Sequence, residues 1–322
     1  MAWPPGQAGR RNVLQEVKPQ MNTDKHRFLT IFFVLFVGAG LRPAPGPAFA
    51  ETLENQIDSR VKEYGATIVG IYFEDHEGDV YTRNANEVFH AASTMKVPVM
   101  MEIFRKVEEG KLSLDQKITV KNQFASILDG SAYSLTPEED TDTEIYKMIG
   151  QTLTLGQLVE RMINQSSNLA TNIVIELANA QDVIALIKEI GADGMTVLRG
   201  VEDIKAYEAG KNNTTSAKGL AMCLKAILNP EYFSESSRKQ MFDILLSQTS
   251  KVIARGIDAD KNGLKVASKD GWITEINHDG AIIQGANGNN TILVILTKGV
   301  KEQERGEALV AVLAADVWNS LR

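Results

Sequence analysis

Ser93 and Lys96 stand three residues apart in Ala91-Ala92-Ser93-Thr94-Met95-Lys96-Val97-Pro98. On a helix that spacing puts both side chains on one face, one turn apart. A serine hydroxyl is a weak nucleophile until a base accepts its proton. A desolvated lysine close to other cations can have its pKa lowered enough to be that base. Val97, Met100, Met101, Phe104 and Val107 then keep helical spacing. The pattern predicts a serine at the mouth of a buried helix, with its lysine one turn deeper. Pro98 removes one helical hydrogen bond, which predicts a kink or a late helix start. Alone, the pair equally describes a capping serine beside a solvated lysine.

The elements that must position this pair come from a chain of 322 residues, 43% hydrophobic and 23% charged, enough for a sizeable globular core. The first fifty residues are set apart. Lys25, His26 and Arg27 precede an apolar run from Phe28 to Leu41, and Ala48-Phe49-Ala50 follows a proline-rich stretch. A basic segment, a short apolar segment and an A-x-A site predict a signal peptide and leader over 1–50, cleaved after Ala50, with 51–322 as the mature domain. The apolar run is short for a membrane span of about 20 residues, so no stable anchor is expected after cleavage. Export to the periplasm or the exterior is expected. Residues 1–20 lack signal character, so Met21 competes with Met1 as the start.

The leader carries six Lys/Arg and two Asp/Glu, so the mature part is more acidic than the −7 of the whole chain. That excludes nucleic acid and anionic membrane surfaces as natural partners. A monomer acting on a small molecule is expected. Cys223 is the sole cysteine, which rules out an internal disulfide; its apolar neighbours predict a buried core residue. The four histidines show no ligand spacing, so neither metal nor cofactor is expected. His278-Asp279 invites a Ser-His-Asp reading, discounted because the two adjoin and Lys96 already offers a base.

In chain order, Thr52–Tyr64 predicts a helix, and Thr67–Phe73 with Val80–Thr82 a hairpin across turn residues 75–79. Ile118–Val120 predicts a short strand. Residues 122–148 are polar and irregular, a surface excursion placed to rim a cleft; Tyr133 within it is either a substrate contact or a loop anchor. Thr154-Leu155-Gly156-Gln157 is a capping box opening a helix that ends near Gln165-Ser166-Ser167-Asn168, where a second helix begins. Met195–Ser216 is a long polar connection, followed by helices over 217–228 and 235–246. Val266–Trp272 leads to strands at 281–283 and 291–296, and a helix over 305–321 closes the chain. The hairpin and the late strands predict one antiparallel sheet, the middle a helical lobe, and a cleft between them as the site.

Ser93-Thr94-Met95-Lys96, Ser166-Ser167-Asn168 and Lys269-Asp270-Gly271 now stand in order along one chain. This set resembles that of class A β-lactamases and related penicillin-recognising serine hydrolases, whose motifs are S-x-x-K, S-D-N and K-T-G. The first motif matches fully; the other two differ at their middle positions. The resemblance covers nearly all of 51–322 and implies an α+β fold of the β-lactamase/DD-peptidase type, an antiparallel sheet flanked by helices with an all-helical lobe. It implies Ser93 as the acylated nucleophile, Lys96 in its activation, and Ser166 as a relay toward the leaving nitrogen. Asn168 would hold the substrate acylamide. Lys269 would supply charge for the substrate carboxylate, followed by Gly271, and the N–H groups of Ser93 and Trp272 would form the oxyanion hole. Glu202 lies where the family places its deacylating glutamate, with Glu208 a competitor. Ser167 replaces a mainly structural aspartate. Asp270 replaces a threonine or serine, and would narrow the substrate range by repelling an anion unless it points away or pairs with a cation. The implied activity is β-lactam opening through an acyl-serine. The alternatives are a D-alanyl-D-alanine peptidase of cell-wall metabolism, or a penicillin-binding sensor module that turns over slowly.

Overall fold

Strand residues that alternate between two apolar layers organise the fold. The structure is a computed structural model that describes residues 47–322. Strands β1 (Ile68–Glu74) and β2 (Val80–Arg83) form the expected hairpin, and β9 (Lys265–Ile273), β10 (Ile276–Gln284) and β11 (Asn290–Lys298) join it in a five-stranded antiparallel sheet of order β2-β1-β11-β10-β9. Ile71 pairs with Ile295, so the early hairpin is stitched to strands from the end of the chain. The short strands lie in connections: β3 (Phe89–His90) pairs with β8 (Thr214–Thr215), β4 (Lys117–Thr119) with β7 (Thr152–Thr154), and β5 (Phe124–Ala125) with β6 (Ala132–Tyr133).

Val69, Ile71, Phe73, Ala281, Ile283, Leu293 and Ile295 pack on one face with Leu53 and Ile57 of α1 (Pro47–Tyr64) and Leu309, Leu313 and Val317 of α10 (Gln303–Leu321). Tyr72, Ile282, Ile292, Val294 and Leu296 belong to the second, larger cluster. This is the period-two alternation of a strand with both faces covered, which is why the sequence reads as unbroken apolar runs. Helices of the second cluster are α2 (Lys96–Glu108), α3 (Leu155–Asn164), α4 (Asn168–Ala178), α5 (Ala180–Glu189), α7 (Ala217–Leu228) and α8 (Glu235–Leu246). Two short helices complete the set: α6 (Ile204–Glu208) and α9 (Val252–Gly256). Among the described residues, no single helix is long and apolar enough to cross a membrane.

The structure corrects the sequence reading in two places. Ser93 is not on an α-helix: it sits in a 3₁₀ turn over Ala92–Met95, and α2 starts at Lys96. Pro98 is therefore in the first turn of α2, where proline is tolerated, in keeping with the late helix start expected from the sequence. Residues 265–273, expected only to lead into a strand, are themselves the edge strand β9. The helix expected over Thr52–Tyr64 starts earlier, at Pro47, and the position after Ala50 lies within it. The rest of the expected leader lies outside the described residues.

Candidate active site

Ala92 holds φ +45°, a left-handed conformation costly for a residue with a Cβ. The 3₁₀ turn that follows presents Ser93 to the cleft. In such a turn residues i and i+3 eclipse, so Ser93 and Lys96 share a side although they share no α-helix. Gly271 of β9 lies against the same turn: a Cβ there would stand 2.8 Å from the Ser93 nitrogen and 3.0 Å from that of Thr94. Only glycine lets an edge strand approach the backbone N–H of Ser93 this closely.

Lys96 is fully buried, and its Nζ donates to Ser166 O (2.7 Å), Ser166 Oγ (3.1 Å) and Asn168 Oδ1 (3.1 Å). Its hydrogen bonds thus go to the second motif, not to Ser93. Burial, reinforced by the charge of Lys269, lowers the amine to about 7, against the pull of Asp140, Asp270 and Glu202. An amine poised there is a competent proton acceptor near neutrality.

The second motif sits where α3 ends and α4 starts. Ser166 has φ +54°, which turns both its carbonyl and its hydroxyl to Lys96. Ser167, in place of aspartate, is the N-cap: its Oγ accepts from Ala170 N–H at 3.2 Å. Asp140, which the sequence showed only as one acid in a polar loop, accepts the N–H groups of Asn168 (2.9 Å) and Leu169 (2.8 Å). Its carboxylate therefore anchors the α4 N-terminus, a favourable place for negative charge.

Lys269 is also fully buried, donating to Gln248 Oε1 (3.0 Å) and Asp270 Oδ1 (2.6 Å). Gln248 further accepts Asp270 N–H at 3.1 Å and donates to Ser268 Oγ at 3.2 Å, locking the third motif from behind. Burial pushes the Asp270 carboxyl up, but the adjacent Lys269 outweighs it and holds the group below its usual range. Asp270 therefore pairs with a cation, and that cation is the motif's own lysine.

The loop after α5 presents Glu202. Asn172 clamps Val201 twice, accepting its N–H at 2.7 Å and donating to its carbonyl at 2.9 Å. Arg199 closes the loop by donating to Lys211 O, Gly200 O and Asn212 Oδ1. Glu202, at φ +59°, then receives Asn168 Nδ2 at 3.4 Å. Burial, then repulsion from Glu139, raises its carboxyl above the ordinary range despite Arg199 and Lys96. Glu208 is exposed at the far end of α6, away from the cleft lining. Tyr133 is a loop anchor, its hydroxyl donating to Val201 O and accepting from Asn172 Nδ2, both at 3.3 Å.

A cleft of about 570 Å³ is lined by Ser93, Ser166, Asn168, Glu202 and Trp272, rimmed by Glu138–Thr141 of the polar excursion. Lys96 and Lys269 lie beneath its wall. His278 and Asp279 take no part: as strand neighbours they face opposite sides. His278 bonds the His90 carbonyl at 3.0 Å and Asp279 accepts Ile253 N–H at 2.9 Å. Asp140, Asn172 and Gln248 escaped sequence reasoning because each acts on a segment far along the chain. His90 escaped too, although it lines the cleft and its Nδ1 accepts Ala92 N–H at 3.0 Å.

A serine on a turn with left-handed backbone, two buried lysines close by and a glutamate lining the same cleft form an arrangement that can support acyl transfer to a serine. The chain belongs to the Beta-lactamase enzyme family, whose model matches residues 52–321. It is similar to a β-lactamase of Bacteroides uniformis, 24% identical over 84% of this chain and 91% of that protein. It is also similar to β-lactamase ROB-1 of Haemophilus influenzae, 25% identical over 87% and 90%. Among solved structures it is similar in fold to PBP-A (24% identity, TM-score 0.69, 83% of this chain and 95% of that one). The class A β-lactamase of the last common ancestor of Gram-negative bacteria has the same fold (23% identity, TM-score 0.72, 84% and 100%).

Proposed function

We propose that the protein is an exported, monomeric serine hydrolase that opens β-lactam amides through an acyl-Ser93 intermediate. The observation that carries this is the buried Lys96 amine, lowered to about 7 and wired to Ser166 beside the Ser93 turn. Unprotonated Lys96 takes the Ser93 proton as Oγ adds to the amide carbonyl carbon. The N–H groups of Ser93 and Trp272 receive the oxyanion, with Gly271 allowing their approach. The C–N bond then breaks, and the proton returns through Ser166 to the leaving nitrogen. Asn168 holds the acylamide. Glu202 takes a proton from water as that water adds to the ester carbonyl; the acyl–Oγ bond then breaks and the proton passes to Ser93 Oγ, which frees the serine and a carboxylic acid product. Family membership and the relatives named β-lactamase support this reading. So does the fold likeness to PBP-A, one mutant of which was solved as an acyl-enzyme with penicillin G.

Intact-mass spectrometry with a penicillin over time tests it. An adduct on Ser93 that forms and clears is expected, and Ser93→Ala should give none. Adduct mapped to another residue would overturn the mechanism. An adduct that persists on the wild type for hours would favour the peptidase or penicillin-binding alternative.

A further inference from the structure

Asp270 precedes Gly271, whose backbone lies against the Ser93 turn, and its carboxylate is paired with Lys269, the lysine of the third motif. Lys269 Nζ is completely buried, and its two hydrogen bonds go to Gln248 and to Asp270. The Asp270 side chain is 15% exposed, so the ion pair is largely shielded from solvent and salt. Its partner holds the Asp270 carboxyl below the usual range, so Lys269 already faces a carboxylate of the protein's own. The neighbouring described cations are engaged elsewhere. Lys96 donates to Ser166 and Asn168, and each nitrogen of the Arg199 guanidinium donates within its own loop, to Lys211, Gly200 and Asn212. The described cleft wall adds carboxylates instead: Glu138, Glu139, Asp140, Glu202 and Asp203. An anionic group entering on the β9 side would meet a lysine already paired with Asp270 and an acidic wall.

We infer that Asp270 is a specificity-determining residue that selects acyl donors with no carboxylate beside the departing nitrogen. The substrate class is an amide or lactam uncharged on its leaving-group side. The selection is exerted by Asp270 occupying Lys269 and by its own negative charge. This inference rests on the acyl-Ser93 reading above and goes beyond it in naming what the leaving group must lack.

The test uses a chromogenic cephalosporin and its methyl ester, the same reacting amide with and without the carboxylate. Acylation rate constants are measured for the full-length wild type, Asp270→Thr and Asp270→Asn, the last keeping the shape of the side chain. The ester-to-acid ratio is expected to fall tenfold or more in both variants. In the wild type, added salt should raise the rate for the acid more than for the ester. A loss of packing at β9 would slow both compounds together and leave the ratio unchanged, which would overturn the inference. An unchanged ratio with normal Ser93 adducts by intact mass would overturn the inference alone. Absence of any Ser93 adduct from either compound would overturn the acyl-serine reading, and this inference with it.

Discussion

Lys96 shows at the scale of one residue how burial becomes chemistry. A lysine amine taken out of water next to a second buried lysine loses its proton near neutrality, and so becomes a base. Lys96→Ala should slow acylation by about two to four orders of magnitude, the usual yield of a general base. The base must be unprotonated, so kcat/KM for acylation should rise with pH through about 7. A pH–rate profile that keeps this limb in Lys96→Ala would assign it to another group. Glu202 presents the complementary case, a carboxyl raised by burial and by Glu139 that must be ionised to accept a proton from water. Glu202→Gln should acylate normally and then stall, since glutamine can hold water but cannot take its proton. Time-resolved mass spectra would show the adduct persisting in the variant and clearing in the wild type; equal clearance would move the role elsewhere.

Between elements, the critical contact is β9 against the Ser93 turn. Gly271 has no side chain to spare there, because the atoms a Cβ would meet are backbone nitrogens that cannot swing away. Gly271→Ala should therefore push the strand from the turn and lower the acylation rate by roughly 10²–10³-fold, the order of one lost oxyanion donor. Its melting temperature should change little by comparison. An alanine variant with wild-type acylation would show that strand and turn can separate without harm to the site. The junction of α3 and α4 follows the same logic in a sturdier form. Ser167 caps α4 from within, and Asp140 holds its first N–H groups from a loop 28 residues upstream. The second motif thus tolerates serine in place of aspartate, because the cap needs only an oxygen acceptor at that point.

Over the whole molecule, the sheet carries a buried acid with no part in the chemistry. Asp279 of β10 pairs in register with Asp270 of β9, and its Oδ1 has no hydrogen-bond partner. Burial, then repulsion from Asp270, raises its carboxyl to about 7 from an unfolded value near 3.8. Between those values the folded state binds more protons than the unfolded chain, so this group removes stability as pH rises through the window. Asp279→Asn keeps an oxygen acceptor for Ile253 N–H and removes the charge. Its melting temperature should exceed that of the wild type by roughly 5 °C at pH 8, with the gain shrinking toward zero at pH 4. A gain independent of pH would assign the effect to packing instead of ionisation.

Much of this was legible along the chain. The spacing of Ser93 and Lys96, the capping box at Thr154, and helices over 217–228 and 235–246 are local patterns, and local patterns survive in sequence. The antiparallel sheet joining the hairpin to the late strands also followed from pattern and order. Tertiary structure alone decided the rest. Lys96 meets its partners 70 and 72 residues away, and Asp140 and Gln248 reach motifs they do not adjoin. Asp270 could repel, point away or pair, and only packing selected the pair with Lys269. The physical reason is common to all of them. A side chain's charge state and partner depend on how much water the fold removes and on which distant groups replace it, and neither quantity is written in any local stretch of residues.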